Sequence, residues 1–345
     1  MFSLSVTRYR FDCVAQTPIR LPDYAGSLLR GAFGRALRQV ACITREKDCA
    51  PCALKAGCPY TAVFAPGKPA ALHARLQNSE IPAPYVIEPP AWGARVVAPG
   101  EGFTFHMVLI GRALEHLPIV ILAWRRALAR GLGAGDGTAE LAAVAGEDGR
   151  ALYTPEDGRI APHDTTPRTV PAAPIFPNTQ ATLTLHFVTP LRLQHNGKAL
   201  PPHRLTPRPL ILAAARRASL LNEFHGNGAP STIDWKALTA EADTLTGERQ
   251  LEWCDWTRYS SRQQQPMTLG GAIGGWTLKG ELTNAWPWLY LGQWLHLGKE
   301  TVFGLGGYRL KPALATDIFA GNQKDWESIS QTPERKEKNI PSRSV

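Results

Sequence analysis

Along the first 41 residues the apolar positions change period once. Phe2, Leu4 and Val6, then Tyr9, Phe11 and Cys13, alternate across residues 2–16 as a half-buried strand does, and Pro18 and Pro22 end the run. In YAGSLLRGAFGRALRQVA (24–41), Leu29, Phe33, Ala36, Leu37 and Val40 share one helical stripe. A cysteine-rich knuckle follows, then a proline-rich connection (66–100) and a second strand, GFTFHMVLI (102–110). A helix is predicted around 115–130, then a strand at AELAAVAG. Residues 151–179, rich in Pro, Asp, Thr and Arg, read as a linker.

Beyond the linker, ATLTLHFVTPLRL (181–193) alternates as a strand, and PLILAAARRASLLNEF (209–224) predicts a helix with Pro209 at its first position. QPMTLGGAIGGWTLKGEL (265–282) reads as a glycine-broken hairpin. WPWLYLGQWLHL (286–297) predicts a helix capped by Asn284 and closed by Gly298, with GYRLKPAL as the last strand. Residues 320–345 are polar and aperiodic, which predicts a disordered tail. The two halves share one grammar, and ARGLGAG (129–135) and VFGLGGY (302–308) occupy equivalent places in it. The expected fold is α+β: two tandem ferredoxin-like βαββαβ domains, at 1–165 and 180–315, with a knuckle at 42–58 inserted after the first helix.

Composition narrows the class. A net charge of +9 over 345 residues points to a polyanionic partner. No run of about 18 apolar residues occurs and the N-terminus lacks an apolar signal core, so no membrane span is expected and the predicted location is cytoplasmic. Six cysteines are too few for a disulfide scaffold.

Basic and glycine-rich positions carry the candidate chemistry. In LHLGKETVFGLGGYRL the lysine precedes the glycines and the loop runs from helix to strand. Both features are the reverse of what nucleotide-cradling loops require. Gly304, Gly306 and Gly307 then form either a bare backbone open to a phosphate chain, flanked by Lys299, Arg309 and Lys311, or a tight turn. Arg30, Arg35 and Arg38 project opposite the apolar stripe of the first helix, with Gly31 and Gly34 between them. Either an anion or a packed neighbour must approach those glycines. Residues 192–217 add six Lys/Arg and two His without an acid, which suits a groove for a phosphate backbone. Tryptophans from Trp253 to Trp294 are interleaved with the basic segments, and one or two of them are expected to stack on RNA.

Cys42-x6-Cys49-x2-Cys52-x5-Cys58 is spaced for a tetrathiolate site, with structural zinc the first expectation, an iron–sulfur cluster the second, and plain reduced thiols the alternative. No motif for a catalytic metal occurs. RNA can be cut without one, by attack of its own 2′-OH on the adjacent phosphate. His296, three residues before Lys299, reads as a general acid at a helix end or as a simple cap. TRYSSRQ (257–263) gathers Arg258, Tyr259 and Arg262 in one polar segment.

In order along the chain, YAGSLLRGAFGRALR, CPYTAVF, PGEGFTFHMVLIG, LHFVTPLRLQHNGKALP, PLILAAARRASLLNEFHG, RYSSRQQQPMTLGGAIGGWTLKGEL and WLHLGKETVFGLGGYRL resemble the CRISPR endoribonucleases of the RAMP superfamily that process precursor crRNA, the Cas-six family. The resemblance covers about residues 1–315. It implies binding of CRISPR repeat RNA, metal-independent cleavage to a 2′,3′-cyclic phosphate, and RNA-backbone contact at Gly304, Gly306 and Gly307. Other CRISPR effector subunits are potential partners. Many members keep a catalytic histidine near the first helix, whereas this chain has none before His73. The role is therefore expected at His296, or at Tyr24 with Arg30, Arg35 and Arg262; Arg38, Arg258, Tyr259, Lys299 and Arg309 are expected on RNA. The missing histidine supports a rival, a non-cleaving crRNA-binding subunit. A zinc-dependent scaffold protein is the third reading.

Overall fold

The computed structural model of the chain describes residues 4–69, 76, 80–133, 135–168, 181–226, 233–260 and 265–312. The predicted tail at 320–345 and Arg262 lie outside the described residues.

The N-terminal half runs β1 (Val6–Ala15), β2 (Ile19–Leu21), α1 (Gly26–Ala41), α2 (Pro59–Val63), β3 (Tyr85–Glu88), β4 (Arg95–Val97), β5 (Gly102–Ile110), α3 (Leu117–Arg130), β6 (Ala139–Ala145) and β7 (Ala151–Tyr153). Its main sheet has the order β3-β5-β1-β6-β7, antiparallel throughout, with β2 and β4 paired separately. The C-terminal half runs β8 (Ala181–Leu191), β9 (Gln194–His195), β10 (Lys198–Ala199), α4 (Pro207–His225), α5 (Trp235–Thr244), β11 (Thr246–Ser260), β12 (Gln265–Gly280), α6 (Trp286–Leu295) and β13 (Tyr308–Pro312). Its sheet has the order β11-β12-β8-β13. In each half the first long strand lies between the third and fourth of a βαββαβ unit, the ferredoxin-like arrangement expected from the sequence.

Strand alternation explains how the halves join. Tyr9, Phe11, Phe105, Met107 and Leu109 face α1 and α3, where Trp124 stacks on Phe33 and tilts against Phe105. Val6, Val86, Val108 and Ile110 have the opposite parity and enter the core of the C-terminal half beside Leu185 and Phe187. The N-terminal sheet is therefore covered on both faces. This is why β5 reads as a nearly unbroken apolar run.

Three local expectations change. Residues 265–280 form one strand, and the hairpin is β11–β12; the internal glycines serve a bulge near Gly274, whose φ is +115°. Helix α4 starts two residues earlier than expected, at Pro207, and α5 had no clear periodicity to announce it. The N-terminus of α6 is capped not by Asn284 but by the buried carboxylate of Glu241 on α5, which accepts from the backbone N–H of Asn284 and Ala285 at 2.8 and 2.7 Å and from the Asn284 amide at 2.8 Å. Glu241→Ala is expected to lower unfolding free energy by about 1–3 kcal/mol, because buried donors lose their acceptor. Asn284→Ala is expected to cost less. Urea titration of both variants measures the difference.

Candidate nucleic-acid interface

The seam between the two sheets holds a buried charge network. Arg8 on β1 is 5% exposed. Its Nε and Nη2 donate to the two oxygens of Glu88 on β3 at 2.7 and 3.0 Å, and Nη2 also donates to the carbonyl of Gln293 on α6 at 2.9 Å. Nη1 donates to Glu147 at 3.2 Å. Glu147 also accepts the Trp294 indole N–H at 2.5 Å and pairs with Arg168, whose guanidinium lies 4.0 Å from the Trp294 ring centre. From the C-terminal half, His296 places Nε2 3.0 Å from Glu88 Oε1, while Nδ1 faces the carbonyl oxygens of Gly304 and Leu305 at 3.0 and 3.2 Å. Burial would raise the Glu88 pKa, but Arg8 and His296 outweigh it and hold the carboxyl well below its ordinary value. Burial lowers His296, with Glu88 opposing. Arg309 is pushed down to about 9 by burial and then by Arg8.

Several residues expected to meet RNA are part of this packing instead. His296 is 3% exposed, and both ring nitrogens are engaged with groups that hold the two halves together. His296 is the C-cap of α6, its backbone N–H donating to the Gly292 carbonyl at 2.9 Å, so the helix-end reading holds; its ring faces carbonyls of the glycine-rich loop, and an exposed acid does not describe it. Tyr24 is 4% exposed. Its hydroxyl donates to the Phe303 carbonyl at 2.7 Å, its ring packs between Trp92 and Trp256, and burial drives its pKa well above ordinary. Gly304, Gly306 and Gly307 are buried. A Cβ at Gly304 would overlap the Ile87 carbonyl of β3, and one at Gly306 the Leu297 carbonyl; their φ values are +88° and +71°. The loop is thus the tight turn of the two readings, pressed against the other domain. Arg309 Nη1 faces the carbonyls of Gln293 and Tyr308.

On α1 the packing alternative also holds at Gly34, where a Cβ would overlap the Phe64 ring. Arg38 donates to the carbonyls of Glu46 and Lys47 at 2.5 and 2.7 Å, which ties down the cysteine segment. Cations remain accessible on both banks of the seam. Arg35 and Lys299 are exposed. Arg30 is half-buried, its guanidinium 4.3 Å from the Phe64 ring centre and 5.8 Å from that of Phe303. Lys299 donates its backbone N–H to the Arg192 carbonyl at 2.9 Å, and the exposed His195 and Lys198 follow Arg192 on β9 and β10. Arg30 reaches Phe303 of the other half and Lys299 adjoins Arg192, so cations border the junction from both halves, an arrangement suited to a phosphate chain. The side chains of Arg258 and Tyr259 lie outside the described residues. Trp253, on edge strand β11, is 36% exposed, whereas Trp256, Trp276, Trp286, Trp288 and Trp294 are buried.

Sequence reasoning missed the Arg8–Glu88–His296 network. The one available signal was an acid closing the apolar strand YVIE. The four knuckle cysteines are free and line one cleft of about 350 Å³ beside α1. Burial raises the Cys49 pKa, Arg38 opposes, and Cys58, Cys42 and Cys52 raise it further. Among the described residues no three His, Cys, Asp or Glu side chains are gathered closely enough to hold a metal ion.

Residues 185–308 match the family model described as CRISPR-associated endoribonuclease Cas6, and residues 4–165 match a model described as an N-terminal domain. Similar solved structures include Thermus thermophilus Cas6 (TTHB231) in a product complex, at 17% identity and a TM-score of 0.53, covering 89% of this chain and 100% of that one. A partial Cas6-RT-Cas1–Cas2 complex aligns at 13% identity and a TM-score of 0.52, covering 90% of this chain and 46% of that one. These similarities show the fold. No curated protein matches.

Acid should loosen the seam. His225, at the end of α4, meets the Pro82 carbonyl of the N-terminal half at 2.8 Å, and His106 on β5 is buried beside Glu88. Burial lowers both imidazoles to about 4. An unfolded histidine protonates near about 6.5, so between pH 6.5 and 4 the unfolded chain binds more protons and stability falls with pH. At pH 5 the expected loss is about 2 kcal/mol per histidine relative to neutral pH. Urea midpoints at pH 7.5 and 5, for the native chain and His225→Gln, check this; the variant should show the shallower dependence.

Proposed function

We propose that this chain, a member of the Cas6 family of CRISPR-associated endoribonucleases, binds CRISPR repeat RNA within precursor crRNA and cleaves it. The observation that carries the reading is the match of residues 185–308 to an endoribonuclease family, on a frame whose two domains join at a cation-lined seam. The repeat RNA runs across that seam, with phosphates met by Lys299 and Arg192 on one side and by Arg30 and Arg35 on the other.

Cleavage needs no catalytic metal in this account. The 2′-oxygen bonds to the adjacent phosphorus and the bond to the 5′-oxygen breaks, with solvent water taking the proton from the 2′-hydroxyl and supplying one to the departing 5′-oxygen. The products are a 2′,3′-cyclic phosphate and a 5′-hydroxyl. Arg30, Arg35 and Lys299 stabilise the charge that develops on the non-bridging oxygens, which is often the largest contribution to such a rate. His296 and Tyr24 hold the seam's shape as positioning residues.

A second reading, a non-cleaving crRNA-binding subunit of an effector complex, is favoured by one observation: both side chains first in line for acid–base work are buried and engaged.

Incubation with repeat RNA in EDTA, beside the same RNA carrying a 2′-deoxy at the cut, separates the two. Cleavage of the all-ribose strand only, leaving a cyclic phosphate, is expected. A requirement for divalent metal contradicts the mechanism, and tight binding without cleavage selects the second reading. Lys299→Ala should weaken binding to all repeat sequences alike and reduce the magnitude of the slope of log K against log salt by about 1.

A further inference from the structure

We propose that Cys42, Cys49, Cys52 and Cys58 bind one zinc-type divalent ion as a tetrathiolate, and that this ion is the structural cross-link of the segment following α1. The inference does not depend on the RNA reading.

The segment has little else to hold it. No residue from 42 to 58 is buried, and its regular structure is confined to the single 3-10 turn Lys55–Gly57. Ile43 and Leu54, which could have anchored it, are 83% and 48% exposed. A stretch of chain that buries no apolar side chain has no hydrophobic offset for the entropy of being ordered. The backbone nevertheless follows a defined course. Cys52 N–H donates to the Cys49 carbonyl, Lys55 to Cys52, and Cys58 to Lys55, at 3.3, 3.1 and 3.4 Å. These successive turns carry Cys49, Cys52 and Cys58 along a cleft that Cys42, held by its N–H to the Arg38 carbonyl, also lines, and the Arg38 side chain ties the Glu46 and Lys47 carbonyls to α1.

The donor set selects the ion. Four soft sulfur donors, without histidine in the lining, suit zinc in a closed tetrahedral site rather than an oxygen-preferring cation. Cys49-Ala-Pro-Cys52 supplies the two-residue spacing of a chelating turn. The thiols ring the cleft without three of them converging, so coordination at about 2.3 Å draws the segment inward and couples its ordering to the metal. Because Arg38 in the last turn of α1 holds the Glu46 and Lys47 carbonyls, the cross-link also steadies the C-terminal end of that helix.

Full-length protein, purified under reducing conditions without chelator, should carry one zinc per chain by elemental analysis. Cys49→Ser with Cys52→Ser should carry none, whereas Cys13→Ser with Cys254→Ser should retain it. A folding defect in the first variant is bypassed with the native sequence: metal-stripped, reduced protein titrated with Co²⁺ should develop intense tetrahedral cobalt–thiolate absorption that saturates at one equivalent and is displaced by zinc. Absence of zinc together with absence of that absorption overturns the proposal. So does recovery of iron with inorganic sulfide, or an intact mass showing the four thiols joined as two disulfides.

Discussion

The structure depends on one buried ion pair and the histidine that completes it. Glu88 lies at the end of a strand in the N-terminal sheet, on the face turned to the second domain. Its carboxylate accepts both arms of Arg8 and the His296 ring from across the seam. Such a pair contributes little net stability, because desolvation offsets the attraction. Its consequence is directional. Arg8 and Glu88 share one sheet, so a different docking of the second domain leaves the pair without the His296 ring and the Gln293 carbonyl, and each buried polar group left unmet in this way costs about 1–3 kcal/mol. The network therefore rejects alternative arrangements of the two domains more strongly than it favours folding itself.

The glycine-rich loop is where that constraint becomes visible in the chain. Gly304 and Gly306 adopt positive φ and leave no room for a Cβ, so the loop passes between Leu297 and Ile87 and brings its carbonyls to His296. Tyr24 closes the same junction from the N-terminal half through the Phe303 carbonyl. The loop is a bracket between two ferredoxin-like units. Arg30, over the Phe303 ring, and Lys299, beside Arg192, are thereby held on the two sides of the bracket, where a phosphate chain could meet both.

Much of the architecture was legible in the pattern of apolar residues. The alternation in β1 and β8, the apolar run of β5 and the stripe on α1 gave a duplicated βαββαβ order, since period and order are local properties of the chain. What was not legible came from contacts between distant segments. Glycines beside arginines on α1 look like an open anion site until Phe64, thirty residues beyond Gly34, covers one of them. A histidine after an apolar helix looks like an acid at a helix end until Glu88 is found against it. Asn284 looks like a cap until a carboxylate from α5 takes its place. Alternation put Arg8 on a sheet face, but only the second domain makes that face an interior.

The central claim is that Glu88 and His296 act as one interdomain unit, and a double-mutant cycle on unfolding tests it most directly. Glu88→Gln, His296→Gln and the double variant would be compared with the native chain in urea at pH 7.5. The account predicts a coupling energy above about 1 kcal/mol, since residues in one buried network are non-additive. Strictly additive losses would contradict it and return His296 to the list of residues free to act on RNA.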